Sequence, residues 1–225
     1  MIHTISIDWD FFVPEDPMWD FGHRESRMFL NLMWKMRGAD YLKKIKTTGR
    51  EKGFWARLRK KIDIGSATVG VSESHAVLTP TALSECRRLI LFDAHHDCFS
   101  TQEEGFTCCG DWARQWLECD KNRRLTWVRP AWVDPRPPKD LAARIDVFDE
   151  DSFDGADMKM ASFIHICRSG CWTPPWLDGK FIKFVRQVHP SPTILQDGDW
   201  DAMKERWAAE DYKEVRNLTE ARSAM

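Results

Sequence analysis

The sequence predicts an α/β domain built on a mainly parallel sheet, and two observations lead there. Short apolar runs, among them Ile5-Ser6-Ile7, Val69-Gly70-Val71 and Leu89-Ile90-Leu91-Phe92, alternate with stretches of helical spacing, which is the pattern of successive βαβ units. Three of these runs end in acids or imidazoles, and parallel sheets gather their sites at the carboxyl ends of strands. A chain of 225 residues suits one such domain, spanning residues 1–225, with ample apolar material for a core.

The elements follow in order. Residues 4–12 read as a buried strand, with Ile5, Ile7, Trp9 and Phe11 on one side of the alternation. Pro14 and Pro17 then break regularity. Residues 28–45 have near-helical apolar spacing at Met28, Leu32, Met36 and Leu42. Residues 43–61 are strongly basic and read as a helical insertion, either a solvated hairpin or a docking face for an acidic partner. Residues 67–71 form a strand candidate leading into His75. Thr79 then reads as an N-cap with Pro80 at the first position of a helix running to Arg87 or Arg88. That helix feeds the strand 89–92, which makes the segment a βαβ unit with parallel strands. Beyond it the pattern predicts a helix over 111–119 and strands over 125–128, 145–148 and 162–167. A loop falls at Arg136-Pro137-Pro138, and a helix opens at 172–176 and runs to about Val188. The tail 199–225 is charged and reads as helical.

Composition narrows the function classes. The net charge of -2 provides no global field for nucleic acid or a membrane surface. No stretch approaches about 18 uninterrupted apolar residues, and no secretory signal is visible at the start. Seven cysteines without a CxxC zinc pattern suit reduced thiols in a cytoplasmic protein. Twelve tryptophans is a high number for this length; many suit the core, and indoles also line grooves that bind peptides or rings.

The most informative stretch is Asp93-Ala94-His95-His96-Asp97, which follows the apolar run 89–92. Alternation along a strand would put Asp93, His95 and Asp97 on one face, with His96 opposite in a structural role. Asp8 and Asp10 repeat the pattern after Ile5-Ser6-Ile7, and His75 follows Val71-Ser72-Glu73-Ser74. A lone Asp-x-Asp can serve as a turn or cap, and a lone histidine as a structural residue. Ionised carboxylates closing several apolar strands need cationic partners. Four aspartates and two histidines, with no thiolate required, suit a pair of hard divalent ions. Two ions about 3.5–4 Å apart generate a nucleophile from water near neutral pH, suited to attack on a trigonal carbon.

These segments resemble the signatures of the arginase/ureohydrolase superfamily. Asp93-Ala94-His95-His96-Asp97 is similar to its Asp-Ala-His-x-Asp motif, Ser6-Ile7-Asp8-Trp9-Asp10 to its Ser-x-Asp-x-Asp motif, and Ser72-Glu73-Ser74-His75-Ala76 to its Gly-Gly-Asp-His-Ser segment. The resemblance implies a three-layer α/β/α sandwich and two manganese ions. Asp93 and Asp8 would bridge them, His75 and Asp97 would complete one site, and His95 and Asp10 the other. The motif order departs from the family: the Ser-x-Asp-x-Asp strand opens this chain instead of coming last, so the strand order is expected to be rearranged. The family's proton-shuttle histidine and its late guanidinium-binding glutamate have no clear counterpart.

A compact, reordered, tryptophan-rich chain resembles the peptide arginases of ribosomal natural-product pathways. This implies hydrolysis of arginine residues in a precursor peptide to ornithine and urea, with Asp93 and Asp8 at the catalytic centre and Glu73 as an acid near the substrate. Glu73, Arg168, Ser169 and Trp172 are the candidate substrate contacts, and Trp172 and Trp176 could form one wall of a groove. Three other readings stay open: a ureohydrolase of free arginine or agmatine, a deacetylase of the same fold, and a non-catalytic peptide binder. The sequence does not fix the oligomeric state.

Overall fold

The computed structural model describes residues 2–14, 34, 45–100, 107–134, 136–155, 158–170 and 172–195. The helix expected over 28–45, apart from Trp34 and Ile45, and the tail 199–225 lie outside these residues. Among the described residues seven strands form one sheet: β1 (Ile2–Asp8), β2 (Thr68–Ser72), β3 (Cys86–Phe92), β4 (Arg124–Arg129), β5 (Ile145–Asp149), β6 (Phe163–Cys167) and β7 (Thr193–Ile194). Their order is β5-β4-β3-β1-β6-β2-β7, and every pairing is parallel. All carboxyl ends therefore share one edge, and the opening strand occupies the middle of the sheet.

Side-chain alternation divides the core in two. Ile5 and Ile7, Ile90 and Phe92, and Ile164 and Ile166 face one side, where helices α1 (Phe54–Arg59) and α3 (Asp178–Arg186) cover them. Leu89 and Leu91, Leu125 and Trp127 face the other side, against helix α2 (Trp112–Glu118). This is a three-layer α/β/α sandwich with a rearranged strand order. Helix α3 shows how the sequence builds a layer. Phe181, Ile182, Phe184 and Val185 are buried while Lys180, Lys183 and Arg186 are exposed. Asp178 in its first turn and two cations in its last complement the helix dipole. Trp55 of α1 donates its indole N–H to Phe184 O of α3 at 2.8 Å, joining the two covering helices.

Several local expectations change. The opening strand stops at Asp8, and Trp9–Phe12 form a 3-10 turn. Trp9, Asp10, Phe11 and Phe12 are all buried in this turn. Trp9 instead packs against Phe12, Phe181 and Phe184. The helix expected after Thr79 does not form, and residues 80–85 are turns. Thr79 Oγ1 does accept from Ala82 N at 3.2 Å, so the cap exists without a helix behind it. Pairing along β1 draws β3 back to Cys86, and the segment left is too short, with Leu83 its one buried residue, to offset helix nucleation.

Accordingly, β2 and β3 are not sheet neighbours; β6 and β1 lie between them. The basic stretch also differs from an appended insertion. Its described part contains α1, whose Phe54, Trp55 and Leu58 are core residues. No described helix is long and apolar enough to cross a membrane.

Candidate metal centre

The edge of the sheet where β1, β2, β3 and β6 end holds six ligand-type side chains. Asp8 ends β1, and the 3-10 turn delivers Asp10, whose amide donates to Asp8 Oδ1 at 3.2 Å. His75 opens a second 3-10 turn capped by Ser74. Asp93, His95 and Asp97 lie beyond β3, which ends at Phe92. Loop geometry, and not the strand alternation expected, brings these three together. Asp93 is pinned by its own amide to Val128 O at 3.2 Å and by the Trp127 indole to its carbonyl at 3.0 Å.

Asp97 adopts a left-handed backbone with φ of 48°, a conformation that costs a non-glycine residue about 1–3 kcal/mol. Helix α2 holds it there. Asp97 O accepts from the amides of Ala113 and Arg114, and Trp112 Nε1 donates to Asp97 Oδ2 at 2.5 Å.

Two groups emerge, Asp10-Asp93-His95 and His75-Asp93-Asp97, each with ligand atoms within 4.8 Å of one another. They share Asp93. A third group, Asp8-His75-Cys167, adds a thiol that the sequence reading had not singled out. His75 Nδ1 lies 3.2 Å from Asp8 Oδ2, 3.3 Å from Asp97 Oδ2 and 3.7 Å from Asp93 Oδ2. His95 Nδ1 lies 3.0 Å from Asp10 Oδ2 and 3.5 Å from Asp93 Oδ1. All four aspartates and His75 are buried, while the His95 side chain keeps 18% of its surface exposed.

The electrostatics are those of a cluster short of positive charge. Burial, then Asp97, Asp10 and Asp8, raises the Asp93 carboxyl well above its usual range. Burial likewise pushes Asp97 up to about 6, and burial and Asp8 raise Asp10. Burial opposes charge on His75, yet the carboxylates of Asp8, Asp97 and Asp10 outweigh it and raise this imidazole. Among the described residues, buried Asp93 Oδ2 has no hydrogen-bond partner, and Asp10 Oδ2 is approached only by His95 Nδ1 at 3.0 Å. Even with both imidazoles protonated, four carboxylates exceed the two positive charges. Orphaned anionic oxygens beside imidazole nitrogens fit divalent cations.

Below the cluster runs a buried polar row on the α2 side of β1, β6 and β2. Ser6 Oγ lies 2.9 Å from His75 Nε2 and 2.9 Å from His165 Nδ1. Ser72 Oγ lies 2.8 Å from His165 Nε2 and donates to Ser74 O at 2.7 Å. Burial, then the His75 charge, depresses His165 well below the ordinary imidazole range. The sequence reading passed over His165. The signal available was a polar alternation, His165 and Cys167, within the otherwise apolar strand Phe163–Cys167.

The remaining candidates separate. Trp172 packs on His95 with ring centroids 4.7 Å apart, so it belongs to the centre's rim. Trp176 meets Trp34 instead, at 5.6 Å. Arg168 is buried, with Nε 2.9 Å from Asp178 Oδ1 and Nη1 3.5 Å from Glu73 Oε2. Ser169, also buried, has φ of 55° and starts the turn that carries Trp172. His96 is turned away from the ligands, against Phe99 and Trp127, and accepts from Cys98 N at 3.0 Å. Burial, His95 and Arg114 lower it to about 4. A cavity of about 620 Å³ opens beside His95, walled by His96, Phe99, Trp127 and Trp132, with Asp134 and Arg136 also lining it.

Comparison with protein-family models, with curated proteins and with solved structures gives no match. The chemistry of the centre must therefore be argued from its own residues.

Proposed function

We propose that this chain is a binuclear-metal hydrolase that converts arginine residues of a precursor peptide to ornithine and urea. The observation that carries the reading is the pair of ligand groups sharing Asp93, the arrangement a bridged ion pair requires. Asp8, Asp10, His75, Asp93, His95 and Asp97 would hold the ions. Manganese is the proposed metal on the strength of the motif resemblance and the hard oxygen-rich donor set. A metal pair there supplies Lewis acidity and water activation near neutral pH.

In the balanced reaction, water oxygen adds to the guanidinium carbon and the bond from that carbon to Nε breaks. The ornithine amine departs with a proton, and urea carries the new oxygen. The residues of this chain position the substrate. His95 is the ligand that reaches solvent, Trp172 packs on it, and the aromatic cavity lies alongside. The proposal of a peptide over free arginine rests on the aromatic residues along that opening, Phe99, Trp127 and Trp132, which offer surfaces for neighbouring peptide side chains. Glu73, on the accessible side of Arg168, is the proposed acid near the substrate.

The test is elemental analysis of the purified protein, followed by manganese-loaded incubation with arginine-containing peptides and with free arginine. Hydrolysis lowers peptide mass by about 42 Da and releases urea, the signature expected of this reaction class. Turnover of free arginine alone would move the reading to a small-molecule ureohydrolase. Metal uptake with no urea from either substrate would overturn the hydrolase and leave a metal-dependent peptide binder.

A further inference from the structure

We infer that the Ser74 carbonyl, acting through Ser72, His165 and Ser6, selects which nitrogen of His75 is offered to a metal. The argument starts from the one member of the row that can only accept. A backbone carbonyl has no proton, so the Ser72 hydroxyl spends its hydrogen on Ser74 O. Toward His165, Ser72 then presents a lone pair, and His165 Nε2 must donate across the 2.8 Å contact. Among the described residues the ring nitrogens of His165 meet hydroxyls and no carboxylate, so the buried ring is neutral and its Nδ1 accepts. Ser6 gives its proton to that Nδ1 and turns a lone pair to His75. His75 therefore donates from Nε2, and its Nδ1, which faces Asp8, Asp97 and Asp93, is the nitrogen available to a cation.

Every hydrogen in this row has one destination, and the direction is set at a carbonyl whose residue lies next to His75 itself. Breaking the row frees the Ser6 hydroxyl to donate to His75 Nε2. That leaves the proton on Nδ1, the face a metal needs. His165 and Ser72 are thus positioning residues, which reach His75 only through the Ser6 hydroxyl. The row ends at a carbonyl, so it orients the ligand without conducting protons to solvent.

The inference rests on the metal reading of the centre and not on its substrate. Nitrogen-15 NMR of the labelled protein reads the tautomers directly. His165 is expected with its proton on Nε2 in the metal-free protein, and zinc, a diamagnetic probe, is expected on His75 Nδ1. Manganese titration by calorimetry is the second measurement. Ser72→Ala and His165→Leu are expected to weaken manganese about 10–100-fold, as loss of an outer-shell partner does. Ser72→Thr, which keeps the hydroxyl, is expected to restore parental binding, a rescue that general loosening of the fold does not give. If His165→Leu fails to fold, the NMR reading and Ser72→Ala still decide. A His165 proton on Nδ1, or parental manganese affinity in Ser72→Ala, overturns the inference. A parent chain that binds no divalent metal removes both this inference and the metal reading. Tight metal binding without urea release removes only the hydrolase.

Discussion

Trp112 Nε1 donates to Asp97 Oδ2 across 2.5 Å, from the first position of the helix whose amides also hold the Asp97 carbonyl. The same indole stacks on His75 at 5.0 Å, so one side chain braces two members of one ligand group. Trp112→Phe keeps a ring for the stack and removes the donor. A hydrogen bond to a charged group contributes about 1.5–3 kcal/mol. Manganese affinity is therefore expected to fall roughly 10- to 100-fold by calorimetric titration. Unchanged affinity would mean that Asp97 does not need the indole.

Asp93 belongs to both ligand groups, and its carboxyl is the one most strongly disfavoured as an anion. Asp93→Asn keeps the shape and the Oδ1 acceptor for the His95 amide, which lies at 2.7 Å, while deleting the charge. Two opposite effects are expected. Elemental analysis should find the bound ion pair lost, and the metal-free variant should melt above the metal-free parent at pH 7.5. A metal-free variant less stable than its parent would contradict the account of a cluster strained by its own charge.

The sheet was legible because burial is written into the strands as apolar runs, and all five strand candidates after the opening one, at 67–71, 89–92, 125–128, 145–148 and 162–167, correspond to strands of the sheet. The six candidate ligands stood out for a related reason: aspartates such as Asp93 and Asp8 that directly follow Phe92 and Ile7 are costly to bury without a cationic partner. What could not be read was set by contacts distant in sequence. Cys86 joins a strand because Ile2 lies beside it, although Thr79-Pro80 reads locally as a helix start. Asp93, His95 and Asp97 converge through a turn stabilised by Trp112 and Trp127, not through alternation. His165 becomes interpretable only once Ser6 and Ser72 are known to flank it from neighbouring strands.

The titrating groups predict an unusual pH response for the metal-free protein. Asp93 and His75 have raised values in the fold. A raised group binds more protons folded than unfolded, so its contribution is lost as pH rises toward the folded value. Asp97, raised to about 6, acts in the same direction between its unfolded value near 4 and 6. His165 and His96 are lowered and act oppositely, but only below an unfolded value of about 6.5. Between pH 6.5 and 8 the first effect stands unopposed by these histidines. The melting temperature of metal-free protein should therefore fall across that interval. Asp93→Asn should flatten the fall, and manganese, which displaces protons from its ligands, should reverse it. A flat profile in metal-free parent protein would count against the charge-strained centre.

Arg168 was expected at the substrate, yet its guanidinium is buried and engaged by Asp178 at 2.9 Å and by Glu73 at 3.5 Å. Asp178 and the Arg168 carbonyl both bear on the rim: the first begins α3, and the second accepts from Thr173 Oγ1 at 2.6 Å, next to Trp172. Removing one partner of a buried pair leaves the other charge uncompensated, which costs about 3–5 kcal/mol. Arg168→Met is expected to lose that much in chemical denaturation. Adding Asp178→Asn should recover part of it, because the stranded carboxylate is then gone. Glu73→Gln removes the longer contact at a more accessible residue, so its expected cost is smaller, about 1 kcal/mol or less. If Glu73 instead serves the reaction, Glu73→Gln lowers kcat on arginine peptides with stability and bound manganese unchanged. Equal and large destabilisation by Glu73→Gln and Arg168→Met would make Glu73 a structural partner of the guanidinium and remove it from the proposed mechanism.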